Sequence, residues 1–463
     1  MLDDDALLHI FEFYADEDTY IEEWITLVHV CRRWRNVVFQ SPRRLNLRLI
    51  CTPKTPLRVT LDIWPPLPLI IHDTDPIYSS RADNIIAALE HNDRICQIQL
   101  FGPSYSRMEH VTGSAVMQKP FPKLTHLKFG TVNDNGPMLP DSFLGGSAPR
   151  LRSLVLFRIP FLALPNLLSS TTQLVELNLH NIPRSGYIPP EAMATSLSAL
   201  TSLEFLCLNH SEYTIPILES RHSPLLTRSI LPMLTTILFG GVSGYLEEIL
   251  ARIDAPRLNK MHITFFNIIF DTPQLFQFIS RRPTLMVPEK CHIAFHFGIF
   301  VNFPSQISDP GALSVKISCL TLDRQLPSLE RLFTSSLPTV PTLENLYILQ
   351  VEDLYWQQRW LDNVENALWL RVLHPFTAVK SLYLCNKFVP RIVPALEDLV
   401  GARTTEVLPM LENIFLEGLQ PSGPLHEGIE TFVAARRLTG RPVAVSHWEI
   451  KDSERTSSDI YDL

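Results

Sequence analysis

Cys291, His292 and His296 are the one group in this chain with the residue types of a transition-metal site. Their spacing argues against that chemistry. In a strand, His292 and His296 share a face four residues apart, too far to hold one ion without bending the chain. A buried or edge-strand histidine pair is the simpler reading. The seven cysteines form no CxxC pair, so neither a zinc knuckle nor a disulfide framework is expected. No phosphate-binding glycine loop, GxGxxG, GxSxG or HExxH occurs, and the remaining Ser, His and Asp residues are scattered. The expectation is a chain with no catalytic site, no metal and no cofactor of its own.

The other chemistry-bearing cluster is electrostatic. Nine acidic residues lie between Asp3 and Glu23, and six arginines between Arg32 and Arg48. Solvation of helix faces, with some mutual pairing, accounts for both runs. A basic patch at Arg32, Arg33, Arg35, Arg43 and Arg44 could bind phosphate, but it lacks interleaved exposed aromatics and a nucleic-acid motif. Net charge is −8, which gives no general basic footprint for nucleic acid. The acidic start MLDDDALLH lacks the basic region of a secretion signal, and apolar runs such as 265–270 are short of a bilayer span. These features predict an intracellular chain, cytoplasmic and/or nuclear, with reduced cysteines and no membrane or nucleic-acid partner.

What positions any binding residues is a repeat. From about residue 90, L-x-x-L-x-L and its Ile, Val, Phe and Met variants return as Ile95-Ile98-Leu100, Leu124-Leu127-Phe129, Leu151-Leu154-Leu156, Leu174-Leu177-Leu179 and Leu203-Leu206-Leu208. The same pattern continues through Leu234, Leu258, Leu343, Val379 and Leu411. The first six steps are 29, 27, 23, 29, 31 and 24 residues, which brackets the leucine-rich-repeat period. The last two apolar residues of each motif alternate as a strand requires, and the first closes the preceding turn. Helix-like segments alternate with the motifs, among them 82–91, 191–200, 245–253 and 392–401. Prolines at 122, 149, 232, 256, 341 and 409 precede the motifs and fix φ ahead of the strand.

The predicted fold is therefore α/β: an irregular leucine-rich-repeat solenoid, parallel strands on its concave face and helices on its convex face, with a small all-α N-terminal domain. The divisions read as 1–50 helical, 51–90 connecting, 91–447 solenoid and 448–463 a polar tail. The register fails between about 264 and 340. There CHIAFHFGIFVNF reads as two strands turning near Gly298 and LSVKISCLTL as another, so a hairpin leaving the regular path is expected. The position beyond each strand, usually Asn or Cys in such repeats, holds Val132, Ile159, Ile182, Val242, Phe266, Val351 and Leu419. This predicts an apolar ridge in place of an asparagine ladder.

The N-terminal fifty residues carry two apolar helical patterns. The first holds Leu7, Leu8, Ile10, Phe11 and Phe13; the second runs from Trp24 to Val38 and places Leu27, Val30, Cys31 and Trp34 on one helical face. Neither can bury its apolar side alone. LVHVCRRWR followed by SPRRLNLRL, after LLHIFEF and an acidic loop, resembles the F-box of fungal proteins over residues 2 to about 50. Pro42 and Leu45 match the end of the box. With 55–71, 84–100 and IFLEGLQPSG at 414–423 added, nearly the whole chain resembles a basidiomycete family of F-box proteins with leucine-rich repeats.

The resemblance implies a non-catalytic substrate receptor. Its F-box would bind a Skp-type adaptor through Leu7, Leu8, Ile10, Phe11, Leu27, Val30, Cys31 and Trp34, and thereby join a cullin–RING ubiquitin ligase. The repeats would hold a target protein. Residues between the strand leucines point outward, so His126, Lys128, Arg152, Glu176, Phe205, Tyr347 and Tyr383 are the candidate target contacts. The alternative is a repeat scaffold for protein interaction whose N-terminal helices only cover the end of the solenoid.

Overall fold

The computed structural model describes residues 2–14, 23–55, 57–73, 83–102, 105–132, 136–211, 228–266, 272–285, 290–295, 298–304, 313–318, 322–337, 340–350, 365–399, 401–418 and 424–449. The chain forms two compact units, Met1–Phe205 and Leu206–Leu463.

The first unit opens with three helices, α1 (Asp4–Tyr14), α2 (Glu23–Val30) and α3 (Arg32–Gln40). Six strands follow: β1 (Leu49–Cys51), β2 (Leu69–Asp73), β3 (Ile95–Phe101), β4 (His126–Gly130), β5 (Ser153–Phe157) and β6 (Glu176–Ile182). They pair in sequence order and in parallel. The register aligns the repeat leucines into buried rows, Cys51–Ile71–Ile98–Leu127–Leu154–Leu177 in one and Leu100–Phe129–Leu156–Leu179 in the next. The helix Asp83–Leu89 buries Ile85, Ala88 and Leu89 and packs on β1 and β2.

The first leucine of each motif acts as the sequence suggests. Leu124, Leu151, Leu174 and Leu203 donate their N–H to the carbonyl three residues back, and Leu234, Leu258, Leu343 and Leu411 do so in the second unit, all at 3.0–3.3 Å. This turn delivers the chain to the sheet. The next residue then bonds the preceding repeat, as in Thr125 N–H to Cys96 O, Arg152 to Thr125 O and Val175 to Arg152 O, each 2.8 Å.

The second unit carries β7 (Phe205–His210), β9 (Thr236–Gly241), β11 (Lys260–Phe265), β12 (Lys290–Phe295), β13 (Ile299–Phe303), β14 (Leu313–Ile317), β15 (Asn345–Gln350), β16 (Ser381–Leu384), β17 (Asn413–Leu416) and β18 (Ala444–His447). Ser229–Ile230 (β8) and Ile253–Asp254 (β10) form a separate parallel pair. Spatial order in the main sheet is β7-β9-β11-β14-β13-β12-β15-β16-β17-β18. The irregular region does turn as a hairpin near Gly298, but it does not leave the sheet. β13 lies antiparallel between β12 and β14, so two strands are inserted into an otherwise parallel ladder. β14 keeps the alternating burial of a repeat strand, whereas β12 and β13 are also buried on the outward side at Ala294 and Phe300; staying in the sheet is what buries Ile293, Val301 and Val315.

Two further expectations change. The second N-terminal helix is two helices, because Cys31 adopts extended backbone (φ −160, ψ 168) and its Sγ accepts the N–H of Trp34 at 3.4 Å as a helix cap. Leu27 and Val30 thus lie on α2, Cys31 at the break and Trp34 on α3, and no single helical face holds all four. Nor is there a continuous apolar ridge beyond the strands: Ile159 is buried, Ile182, Val242 and Phe266 are half-buried, and Val132 is exposed. The loops after the strands differ in length, so these positions are not structurally equivalent. Val351 and Leu419 lie outside the described residues.

Buried polar groups support the stack. Glu247 accepts the N–H groups of Gln274 and Leu275, both at 2.8 Å, at the start of the helix Pro273–Ser280. Fully buried Arg436 donates to the carbonyls of Thr404, Leu408, Pro409 and Leu411 at 3.0–3.4 Å, tying the final helix to the turn before β17.

His210 at the end of β7 sits 3.2 Å from the Gly240 carbonyl and 4.8 Å from the Tyr245 ring, and burial pushes its pKa down to about 4. An unfolded histidine titrates near 6.5, so below that pH the unfolded chain takes the proton first. This contribution to stability is complete above about pH 6.5 and is lost as pH falls toward 4. Between pH 7 and 5 the loss from His210 is about 2 kcal/mol. Denaturant unfolding at both pH values should show this, and His210→Gln should reduce the difference; an unchanged pH dependence would contradict the assignment.

Candidate functional site

Two surfaces are candidates: the N-terminal helices and the outward side of the sheet, opposite the connecting helices. The helices hold together through Phe11 and Trp34, edge to face at 4.8 Å. Arg33 bonds Asp4 at 2.8 and 2.9 Å, and Arg44 bonds Glu12 at 2.5 Å. The acidic and basic runs therefore pair in part across α1 and the segments after it. These pairs are exposed and contribute little stability.

One side of this helical group is attached to the repeats. Trp24 Nε1 donates to Arg48 O at 3.0 Å, just before β1, and its ring meets Trp64 at 5.3 Å and Phe39 at 6.1 Å. Val28, Val37, Val38, Leu45 and Leu47 are buried. Three apolar side chains of the group stay open to solvent. Phe13 is 91% exposed, Val30 59% and Ile10 45%. Ile10 and Phe13 stand three residues apart and share one face of α1.

The eight residues singled out for adaptor binding divide accordingly. Leu7, Leu8, Phe11 and Leu27 are buried, Trp34 is half-buried on Phe11, and Ile10, Val30 and Cys31 are exposed. Phe13, the most exposed apolar residue of α1, was part of the apolar helical pattern but not of that set; its place three residues after Ile10 was the available signal.

On the sheet, alternation puts three outward rows on β3–β6. These are Gln97–His126–Ser153–Glu176, Gln99–Lys128–Val155–Asn178 and Phe101–Gly130–Phe157–His180. Lys128 Nζ lies 5.3 Å over the Phe101 ring, and the Arg158 guanidinium lies 5.1 Å over Phe157, which stacks on His180 at 5.2 Å. Gly130 makes room for this ring: a Cβ there would come within 2.4 Å of Phe101, so a larger residue would displace it.

His126, Ser153 and Glu176 are neighbours, yet their bonding is not that of a nucleophile relay. Ser153 Oγ donates directly to Glu176 at 2.7 Å, while His126 Nδ1 is bonded to Thr125 Oγ1 at 2.9 Å. A relay needs the histidine between serine and carboxylate. Burial first, then Arg48 and Arg152, pushes the His126 pKa down, and Glu176 only partly opposes this. His126, Lys128 and Arg152 are exposed, whereas Glu176 is half-buried.

The outward side of the second unit differs. One row runs His292–Tyr347–Tyr383–Phe415. Tyr347 stacks on Tyr383 at 4.1 Å, Tyr383 on Phe415 at 4.4 Å, and Trp448 lies 5.3 Å from Tyr383. The expectation of an exposed Tyr347 is corrected: with Ala294, Phe300 and Leu349 it forms a small buried cluster, and only 9% of its surface is open. Its neighbours on the pleat are aromatic or apolar, so it packs sideways instead of facing solvent. Tyr383 and Phe205 are half-buried. His292 lies 4.5 Å from Tyr347, its pKa pushed down to about 4 by burial and by Lys290. His296 lies outside the described residues. Among the described residues no group of three or more His, Cys, Asp or Glu is placed to hold a metal ion. No helix among them is long and apolar enough to cross a membrane.

No protein-family model matches the sequence, and no curated protein does. Among solved structures, the leucine-rich repeat-containing protein LegL7 from Legionella pneumophila is similar at 14% identity and a TM-score of 0.28, over 86% of this chain and 99% of that one. The repeat fold stands on the strand registers given above.

The cap at Cys31 fixes the angle between α2 and α3, and with it the placement of Val30. Cys31→Ser should keep the cap and leave stability unchanged or slightly higher, whereas Cys31→Ala should lower it by about 1 kcal/mol in chemical denaturation. Equal stability of the two variants would show that the thiol does not act as a cap.

Proposed function

We propose that this chain is a protein-interaction scaffold acting as a substrate receptor, its N-terminal helices docking a Skp-type adaptor of a cullin–RING ubiquitin ligase and its outward sheet face holding a target. The observation that carries the reading is the two-sided helical group. Trp24 and the residues around it are used against Arg48 and Trp64, while Ile10, Phe13 and Val30 remain in solvent. A cover for the repeats needs the first side only. Exposed apolar residues on short helices, with Ile10 and Phe13 sharing one face of α1, are what a docking partner would bury. The resemblance of LVHVCRRWR to the F-box supplies the adaptor as the partner.

The second reading, a scaffold whose helices only cover the repeats, is favoured by the Trp24–Arg48 bond. The two are separated by variants on the solvent side, which leave that bond alone. Trp34→Asp is a poor choice, because it would also break the Phe11 contact. Each buried apolar side chain contributes about 1.5–3 kcal/mol, so Phe13→Asp with Val30→Asp should weaken adaptor capture at least a hundredfold. Circular dichroism should show the fold retained. Failure of the wild-type chain to capture adaptor, or full capture by the variant, would sink the receptor reading.

A further inference from the structure

We propose that the outward face of β3–β6 binds an extended, carboxylate-rich peptide segment of a partner protein. The inference rests on the reading that this face holds the target, and it names the target's chemistry.

Within the three rows stand one cation, Lys128, and one carboxylate, Glu176. Arg48, Arg152 and Arg158 flank the rows against one flanking carboxylate, Glu204, so positive charge is in excess here although the whole chain is net acidic at −8. Lys128 and Arg152 are exposed, and Arg48 and Arg158 are half-buried. Among the three outward rows the one carboxylate is Glu176, and it accepts the Ser153 hydroxyl. Burial first, and then Arg48 and Arg152, disfavour protonation of His126 against the opposing Glu176, which places both arginines near this row.

The cations are also held in place. The Lys128 ammonium rests over Phe101, and the Arg158 guanidinium rests over Phe157 while its Nη1 donates to Val132 O at 2.6 Å. Cations positioned over aromatic rings lose less freedom when a ligand arrives. On the strands to either side lie Gln97 and Gln99 (β3) and Asn178 (β6), whose amides can meet a peptide backbone, and beside Lys128 on β5 lies Val155, which can meet an apolar side chain. Neighbouring strands stand about 4.8 Å apart and same-face residues about 6.7 Å apart, spacings that an extended peptide matches. A nucleic acid would be drawn by the same charge, but it calls for a denser row of cations and for open ring faces to stack on. Here Phe101 and Phe157 are already covered by Lys128 and Arg158.

The test uses the full chain and a fluorescein-labelled peptide of alternating glutamate and alanine, read by fluorescence anisotropy. The same measurement is made with the lysine counterpart and with a single-stranded oligonucleotide of matched charge. The glutamate peptide should bind, more weakly as salt is raised, and the lysine peptide should not. Lys128→Glu with Arg152→Glu should weaken binding at least about tenfold. Lys128→Gln with Arg152→Gln should give an intermediate loss, which guards against misfolding of the charge-reversed chain. No binding of the glutamate peptide by the wild type, equal binding by both variants, or tighter binding of the oligonucleotide would each overturn the proposal. Adaptor capture by the same variants should be unchanged. Loss of capture by the wild type would strike the ligase reading and leave the peptide result to stand separately.

Discussion

Every repeat in this protein depends on its neighbour to cover its leucines. A motif such as Leu151-Leu154-Leu156 can bury only one side of a single strand and its turn, so stability comes from rows that run across strands. Ile98, Leu127, Leu154 and Leu177 form one such row, each residue fully inaccessible or nearly so. A row of this kind has ends, and at the ends the constraint changes character. At β2 the row that continues as Leu100 and Phe129 begins instead with Asp73, held at 3.4 Å by Arg107 and nearly as buried as the leucines beside it. Beyond β1 the chain supplies Leu45, Leu47 and the three helices. Near the final strands buried Arg436 donates to four carbonyls of the turn before β17, and β18 itself is exposed along its length.

The same constraint explains where function can reside. Inward positions are committed to the rows, which leaves the outward pleat and the terminal helices free to vary. The outward rows of β3–β6 carry amides, cations and two covered aromatic rings, whereas the row through Tyr347 has become a second small core. The terminal helices satisfy the end of the stack with Trp24 and still present Ile10, Phe13 and Val30 to solvent. Covering the stack and docking a partner would be compatible, because the buried contacts of Trp24 and the exposed side chains of Ile10, Phe13 and Val30 are different residues.

Much of this was legible in the sequence, for a physical reason. Strand alternation has a period of two and the turn before it is fixed by one hydrogen bond, so L-x-x-L-x-L maps onto structure without knowledge of distant contacts. The hairpin at Gly298 was legible for the same reason. The break at Cys31 was not: nothing in helical periodicity distinguishes a helical cysteine from one that caps the next helix. Tyr347 was assigned to the correct side of its strand, but its burial depends on Ala294, Phe300 and Tyr383 from other strands, which the pattern around Tyr347 does not encode. The insertion of β13 and β14 beside β11 is likewise a matter of pairing choice. At the candidate site, residue types pointed to the helices and the outward pleat. Which members of the helical set face solvent became plain only from packing.

The central claim is that the solvent side of the N-terminal helices is a docking surface for an adaptor. Hydrogen–deuterium exchange of the full chain, with and without purified Skp-type adaptor, tests it most directly. The account predicts slower exchange confined to Asp4–Tyr14 and the end of Glu23–Val30, with the helix Pro424–Leu438 unchanged. Identical exchange in α1 and α2 with adaptor present in excess would contradict it.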